Sequence, residues 1–251
     1  MTRKKPQTAV ITGASSGIGR ALAVELARRG YHLGLTARRM PLLEKLRSEL
    51  LATQGKALKV ELACIDVAQP ATVGPALHDL FARLGGADVV VVNAGANDLT
   101  RVGRGELDKE LNLIQTNLTG AIATIHAATE HFLGKGSGHI VGISSLASLQ
   151  ALPKQAAYCA SKAGFSMYLD SARLELKRKN ITVSKIMPGF IKTDIVDGVD
   201  IGKMPFAVPV EQAADELATL IEKRVESGVV PGHPWRWLRP FFGHFPERFL
   251  R

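Results

Sequence analysis

The chain has 251 residues, 46% of them hydrophobic and 22% charged, with a formal net charge of +9 at pH 7. This length and apolar content are sufficient for the core of one large α/β domain. The two cysteines, Cys64 and Cys159, lack metal-ligand spacing, so neither a disulfide scaffold nor a metal site is predicted. The basic residues are spread along the chain, so we expect no nucleic-acid partner, whereas an anionic cofactor would suit the charge.

The sequence contains no pattern typical of secretion or of membrane insertion. The basic residues 3–5 precede an apolar stretch that Thr12 and Gly13 interrupt early, unlike the core of a signal peptide. No uncharged run of about 18 apolar residues occurs, so a spanning helix is not expected. We therefore expect a soluble cytoplasmic protein in a reducing compartment.

The first predicted unit is a strand, a glycine-rich turn and a helix. Residues 8–12 (TAVIT) are apolar and β-branched, as in a buried strand. The turn TGASSGIG then supplies Gly13, Gly17 and Gly19 before a helical pattern at residues 20–29. Without side chains at the turn, backbone N–H groups and the helix N-terminus can approach a pyrophosphate. A glycine turn with a purely structural role is the alternative.

The second predicted strand, residues 31–36, leads into Arg38 and Arg39. In dinucleotide-binding folds an acidic residue near this position holds the ribose 2′-hydroxyl of NAD. Here two arginines stand in its place, and guanidinium groups pair well with phosphate. The sequence therefore predicts a preference for NADP, unless these arginines only cover a solvated loop.

Helical and strand patterns alternate through the remaining chain. The further predicted strands are residues 58–65, 88–92, 139–143 and 182–187, and the further helices are 41–54, 70–83, 107–133, 154–179 and 210–226. This alternation predicts a single doubly wound parallel sheet in a three-layer α/β/α (Rossmann-like) fold, with the ligand at the carboxyl ends of the strands. Polar residues fall at several of those ends: Thr12, Asp66, Asn93, Ser144 and Ser145.

Tyr158 and Lys162 lie four residues apart in the helix predicted at 154–179, so their side chains share a face. A phenol normally keeps its proton to about pH 10, and a nearby ammonium lowers that value toward neutrality. This pair is suited to acid–base chemistry, although the pentapeptide YCASK alone would also fit an ordinary surface helix. Asn117, in the middle of another predicted helix, is either tolerated there or marks a distortion that frees a carbonyl for a water.

The C-terminal tail, residues 231–251, contains six of the chain's fourteen aromatic residues, with four arginines and one glutamate. Packing on its own domain, a membrane interface, an oligomer contact and a flap over an apolar substrate all remain open. We predict a domain at 1–230, which includes an irregular loop at 190–208 that forms a lid or substrate wall, followed by this tail.

Taken in order, these motifs resemble the classical short-chain dehydrogenase/reductase family over about residues 8–228. The motifs are TGASSGIG, Asp66–Val67, NAG at 93–95, Asn117, Ser145, YCASK and PGFIKTD at 188–194. The resemblance implies that Tyr158 is the acid/base and that Ser145 orients the substrate oxygen. It further implies that Lys162 lowers the Tyr158 pKa and binds the nicotinamide ribose, and that Asn117 holds a water in a proton relay.

The resemblance also implies the cofactor site, with Ser15, Arg38 and Arg39 facing the 2′-phosphate of NADP, in keeping with the preference for NADPH over NADH that the two arginines predict. It further implies a homodimer or homotetramer formed through the long helices. The implied cofactor-binding residues are Gly13, Ser15, Ile18, Gly19, Arg38, Arg39, Asp66, Val67, Asn93, Ala94, Gly95, Tyr158, Lys162, Pro188, Gly189, Ile191 and Thr193.

The leading hypothesis is an NADP(H)-dependent oxidoreductase that interconverts an alcohol and a ketone or aldehyde. A non-catalytic module that senses NADP is one alternative. A reductase that works at a membrane surface on a lipid-like carbonyl substrate, reached through the tail, is the other.

Overall fold

Apolar, β-branched runs form the strands of the central sheet. The computed structural model describes residues 6–55, 57–193 and 204–243. The strands in chain order are β1 (Thr8–Thr12), β2 (His32–Ala37), β3 (Val60–Cys64), β4 (Val89–Val92), β5 (Gly138–Ile143), β6 (Ile181–Pro188), β7 (Ile191–Lys192), β8 (Val208–Pro209) and β9 (Ser227–Val230). Seven of them pair in the order β3-β2-β1-β4-β5-β6-β9, all parallel, which confirms the predicted doubly wound sheet.

The strand order places a crevice between β1 and β4. The chain runs outward from β1 to β3 and then returns to start β4 on the other side of β1. Connections on the two sides of this point lie on opposite faces of the sheet, which leaves an opening at the carboxyl ends of the strands. A ligand site is therefore expected next to Thr12 and Asn93.

Helices cover both faces of the sheet. They are α1 (Gly17–Arg28), α2 (Met40–Gln54), α3 (Pro70–Leu84), α4 (Leu107–Ile114), α5 (Gly120–Lys135), α6 (Ala156–Leu176), α7 (Val210–Glu222) and α8 (Trp235–Leu238). Successive strand residues contribute to opposite cores: Val89 and Val91 pack with α1, α2 and α7, whereas Val90 and Val92 pack with α3, α5 and α6. This two-sided burial explains why the central strands are continuous apolar runs.

Two of the predicted helices differ in extent from those of the structure, and three short strands, β7, β8 and β9, are absent from the prediction. The helix predicted at 107–133 is interrupted by a π-helical turn, Gln115–Thr119, which separates α4 from α5. The helix predicted at 210–226 ends at Glu222, and the strand β9, absent from the prediction, follows and pairs with β6. The four residues of β9 carry a weak local signal, and they form a strand because β6 offers an edge with unpaired backbone groups.

The described ends of the loop 190–208 pair with each other as the two-stranded sheet β7–β8. Residues 194–203 of that loop, and residues 244–251 of the tail, lie outside the described residues. The described part of the tail folds as α8 and the 3₁₀ turn Arg239–Phe241. Within the part of the chain that the structure describes, no helix has both the length and the apolar character needed to cross a bilayer.

Candidate active site

A cleft of about 410 Å³ opens at the carboxyl ends of the strands. Its wall contains nearly all of the predicted site residues, namely Gly13, Ser15, Ile18, Arg38, Arg39, Asp66, Val67, Asn93, Ala94, Gly95, Ser145, Tyr158, Lys162, Pro188, Gly189, Ile191 and Thr193. Gly19 and Asn117 are the two predicted residues that do not line it. Both lie directly behind the wall and act on the residues that do.

The glycine turn is shaped by close backbone contacts. Gly13 and Gly17 have φ angles of 69° and 53°, in the left-handed region where glycine is favoured. A Cβ on Gly13 would lie 2.8 Å from the Cα of Ala94, and a Cβ on Gly19 would collide with the carbonyl oxygen of Gly13. Because of these contacts α1 begins directly at the cleft, where its first amides and the positive end of its dipole suit a pyrophosphate.

Thr12 and Asn93 join the ends of β1 and β4 beneath that turn. The Thr12 Oγ1 accepts the backbone N–H groups of Asn93 (3.0 Å) and Ala94 (3.1 Å), and the Asn93 Nδ2 donates to the Thr12 carbonyl (2.9 Å). Thr12 is buried and was not among the predicted site residues. The only sequence signal for this positioning role was a hydroxyl at a strand end.

Arg38 and Arg39 lie at the end of the cleft formed after β2. The Arg39 guanidinium donates to the Oγ atoms of Ser15 (3.1 Å) and Ser16 (2.8 Å), so the glycine turn holds it at the cleft wall. Arg38 also lines the cleft, and both arginines are solvent-exposed. Two guanidinium groups beside two hydroxyls form a site suited to a phosphate monoester.

Tyr158 and Ser145 meet near the middle of the cleft. Tyr158 is 9% exposed and projects from α6, while Ser145 follows β5 and accepts the backbone N–H of Ala147 (3.1 Å). Burial raises the pKa of Tyr158, and a side-chain hydrogen bond with Ser145 opposes that rise. The phenol is therefore protonated at neutral pH, as a proton donor must be.

The amino group of Lys162 is buried one helical turn further along α6. It donates to the carbonyl of Ile143 (3.1 Å) and lies 5.9 Å from the centre of the Tyr158 ring and 5.8 Å from that of Phe165. Burial lowers the pKa of Lys162 from its usual 10.5 to about 8. In the apolar surroundings the charged form of each group is disfavoured.

The predicted effect of Lys162 on Tyr158 is not present in this structure. The sequence predicted a lowered phenol pKa, whereas the pKa of Tyr158 is raised, with burial as the largest cause. The helical spacing does bring the two side chains to one face. However, the hydrogen bond of the amine goes to the Ile143 carbonyl, and the loss of hydration dominates the phenol.

Asn117 fixes the wall behind Lys162 from the π-helical turn. Its Oδ1 accepts the N–H of Ala96 (2.8 Å), and its Nδ2 donates to the Ala96 carbonyl (2.8 Å) and to Ser161 Oγ (3.2 Å). Ser161 Oγ in turn donates to the Tyr158 carbonyl (2.7 Å). The side-chain amide of Asn117 therefore binds protein groups, so any water it supports must be held by the main chain, where a π-turn displaces the regular carbonyl pattern.

Ser144, a strand-end residue outside the predicted site, anchors α6 to β5. Its buried hydroxyl bonds the Lys162 carbonyl (3.2 Å) and Ser166 Oγ (2.7 Å). Ser144 and Ser161 thus set the position of the helix that carries Tyr158 and Lys162. Neither role could be read from the sequence, because both depend on which helix packs over the strand end.

The profile of the short chain dehydrogenase family matches residues 7–202. The chain belongs to this family. An uncharacterized oxidoreductase of Myxococcus xanthus is 36% identical over 240 residues, which cover 96% of this chain and 92% of the relative. A 3-oxoacyl-[acyl-carrier-protein] reductase of Staphylococcus aureus is 35% identical over 201 residues, 78% of this chain and 79% of the relative.

Solved structures of short-chain dehydrogenases have the same fold. An alcohol dehydrogenase of Thermococcus sibiricus, complexed with 5-hydroxy-NADP, superposes with a TM-score of 0.80 at 28% identity over 90% of this chain and 95% of that one. A short-chain dehydrogenase of Sphingobium yanoikuyae, in complex with NADPH, gives 0.81 at 28% identity over 92% and 91%. The chain is therefore an oxidoreductase with a nucleotide-binding fold, and its family uses NAD(P) as cofactor.

Proposed function

We propose that this protein is an NADP(H)-dependent oxidoreductase that interconverts an alcohol and a ketone or aldehyde, with Tyr158 as the acid/base. One observation carries the proposal: Tyr158 and Ser145 lie in the same cleft as Arg38 and Arg39, which face its other end. A single elongated ligand with a phosphate at one end and a reactive ring near the other fits this arrangement.

The residues of the cleft fit such a cofactor. Gly13 and Gly17 of the glycine turn line the cleft at the N-terminus of α1, and a Cβ at Gly13 would intrude on the backbone at Ala94. We assign the pyrophosphate to this turn, the adenine side to Asp66 and Val67, and the nicotinamide side to Ile191 and Thr193. When bound, NADP(H) supplies the hydride, and the protein supplies position and charge.

Proton transfer is assigned to Tyr158. In reduction the phenol donates its proton to the carbonyl oxygen, and in oxidation the phenolate removes the proton of the alcohol. Ser145 donates a hydrogen bond to the same oxygen and orients it. After reduction the phenolate must regain a proton, and we place the relay that returns it at Lys162 and the main-chain carbonyl of Asn117.

The preference for NADP over NAD rests on charge at the end of β2. Arg38 and Arg39 line the cleft there, and Ser15 and Ser16 orient Arg39. A 2′-phosphate would gain charge-assisted hydrogen bonds at this position, whereas a 2′-hydroxyl would leave two guanidinium groups without an anion.

The test is an absorbance screen of NADPH oxidation, with NADH in parallel, over ketones, aldehydes, steroids and acyl-lipid carbonyls. We expect turnover with at least one class and a higher kcat/KM with NADPH than with NADH. Tight NADPH binding without oxidation across the panel would instead support an NADP sensor. The buried phenol of Tyr158 in the cleft favours the enzyme, because a sensor has no use for a buried proton donor.

We further propose a homodimer or homotetramer built through α4 and α6. Leu107 and Leu111 on α4, and Met167 and Leu174 on α6, are exposed although apolar, and the two helices pack side by side. Association would remove this surface from water. Light scattering during size exclusion tests it, and a monomer at micromolar concentration would refute it.

Contact with a membrane surface is a second candidate function, favoured by one feature of the tail. Trp237 and Phe241 are 66% and 62% exposed, and the Arg236 guanidinium lies 5.1 Å from the centre of the Trp237 ring. Exposed aromatic rings beside arginines suit a bilayer interface. In a sedimentation assay with anionic vesicles, the wild type should pellet with the vesicles and W237A/F241A should stay in the supernatant. A wild type that stays in the supernatant would exclude this candidate.

A further inference from the structure

We propose that residues 231–243, anchored by Trp235, close the substrate end of the cleft and select neutral carbonyl compounds that carry a bulky apolar group. This inference rests on the proposed function and names its substrate class. It concerns a segment beyond residues 7–202, the part of the chain that the family profile matches.

The sheet order separates the two ends of the cleft. Arg38 and Asp66 follow β2 and β3, on one side of the crevice between β1 and β4. Phe190 and Trp235 follow β6 and β9, at the opposite edge of the sheet. With Tyr158 between these groups, a substrate held at the phenol must extend toward Phe190 and Trp235 when the cofactor occupies the other side.

Trp235 is the centre of an aromatic cluster at this end. It is 7% exposed, and its ring meets those of Phe190, Phe206 and Phe242 edge-on at centroid distances of 5.7, 5.8 and 6.0 Å. Edge-to-face pairs at such distances stabilise each other beyond the area they bury. Phe190, Trp235 and Phe242 line the cleft and form a wall in which both phenylalanine rings pack on the indole, while Phe206 covers the indole from outside the cleft.

The indole packs directly on the backbone where β6 ends. A Cβ on Gly189 would lie 2.8 Å from Trp235 Nε1, and the Gly189 N–H donates to the Val230 carbonyl (2.8 Å). The indole N–H is itself buried and has no hydrogen-bond partner among the described residues. Trp235 therefore offers the substrate an apolar ring surface and no hydrogen-bond donor.

The C-terminal end of residues 231–243 is also bonded to the cleft wall. The N–H of Gly243 donates to Gln150 Oε1 (2.8 Å), which belongs to the segment that follows Ser145. Residues 231–243 thus contact the cleft wall both at Gly189 and at Gln150. This double attachment makes residues 231–243 a fixed part of the substrate pocket.

Among the described lining residues, charge is confined to the other parts of the cleft. Its charged lining residues are Arg38, Arg39, Asp66 and Lys162. At the substrate end the described lining residues are apolar or carry neutral amides: Asn97, Leu146, Ala147, Gln150, Leu152, Gln155, Phe190, Met204, Trp235 and Phe242. A carboxylate or phosphate on the substrate would lose its hydration there without gaining a charged partner among the described lining residues, which is strongly unfavourable.

The test compares Trp235→Ala with Trp237→Ala, because both tryptophans lie on α8 and Trp237 is exposed. The substrates are acetophenone, its carboxylated analogue 4-acetylbenzoate, and the small ketone 2-butanone. We expect the wild type to prefer acetophenone over 4-acetylbenzoate by at least about tenfold in kcat/KM. W235A should lower kcat/KM for acetophenone about tenfold and that for 2-butanone far less, with the Kd for NADPH unchanged, and W237A should match the wild type.

Equal losses for both ketones in W235A, or equal use of acetophenone and 4-acetylbenzoate by the wild type, would overturn the inference. Because W235A removes a buried ring, Trp235→Phe is made in parallel and should recover part of the acetophenone activity. Saturation-transfer NMR with 1-phenylethanol in the presence of NADP⁺ tests the pocket without turnover. If the wild type binds 1-phenylethanol more strongly than W235A does, but oxidises NADPH with none of the carbonyl compounds of the screen, the proposed function is refuted and the pocket is supported. If the wild type does not bind 1-phenylethanol, the pocket is refuted.

Discussion

The amino group of Lys162 lies 5.9 Å from the centre of the Tyr158 ring, and both side chains are buried on one face of α6. Burial acts on the two pKa values in opposite directions, raising that of the phenol and lowering that of the amine. In both cases the neutral form is favoured. The arrangement therefore keeps a proton on Tyr158 at neutral pH and places the titration of Lys162 close to the working range.

Replacing Tyr158 by Phe should lower kcat by about 10²–10⁴-fold, because general acid catalysis by a positioned group contributes that much. The ring and its packing are retained, so the Kd for NADPH should stay within about twofold, as expected for a change that removes one neutral hydroxyl. Tyr168→Phe, on the same helix but outside the cleft, is the matched control. Residual activity above a tenth of the wild type would refute the acid role.

Replacing Lys162 by Met should change how stability depends on pH. Folded Lys162 releases its proton near pH 8, whereas the unfolded chain keeps it to about 10.5. Between these values the unfolded state binds more protons, so the free energy of unfolding of the wild type rises with pH, by up to about 3 kcal/mol for this shift. Below pH 8 Lys162 is charged in the folded state, and the burial of this charge lowers the free energy of unfolding by its full amount.

Urea unfolding at pH 7 and pH 10 tests this linkage. The free energy of unfolding of K162M minus that of the wild type should be largest at pH 7 and smaller at pH 10, since the neutral amine carries no charge to desolvate. Lys223→Met changes an exposed lysine and should show no such trend. An advantage that is the same at both pH values would contradict the buried-amine account.

Arg38→Asp should shift the cofactor preference toward NADH. A carboxylate at the end of β2 repels a 2′-phosphate and accepts a hydrogen bond from a 2′-hydroxyl. We expect the ratio of kcat/KM for NADPH to that for NADH to fall at least about tenfold, the size of one lost charge-assisted hydrogen bond. Arg47→Asp makes the same charge change at an exposed position of α2 and should leave this ratio unchanged. Equal ratios in R38D and the wild type would refute the assignment of Arg38 to the 2′-phosphate.

Gly19→Ala should abolish tight NADPH binding and lower stability by about 1–3 kcal/mol, the usual cost of overpacking. The added Cβ would collide with the Gly13 carbonyl and force the turn away from the start of α1. Gly74→Ala is the matched control, because a Cβ there meets nothing within 4 Å. Thermal unfolding and NADPH titration would separate the two variants, and normal binding by G19A would show that the turn tolerates a side chain.

Local patterns in the sequence determined the family, the doubly wound sheet and the meeting of Tyr158, Ser145 and the glycine turn at one edge. These features are encoded by spacing: a strand followed by glycines and a helix, apolar runs that alternate with amphipathic ones, and polar residues at strand ends. The parallel topology then brings all strand ends together, whatever the side chains between them. The family profile confirms the predicted family, and the strand order confirms the predicted doubly wound sheet.

Tertiary structure alone decided which groups are buried and what each one contacts. The direction of the Tyr158 pKa depends on the apolar cover over α6, and the partners of Asn117 lie 21 and 44 residues away in the chain. Trp235 and Trp237 are the same residue type two positions apart, yet only the first packs on Gly189. Desolvation and long-range contacts are properties of the packed chain, and no local spacing encodes them.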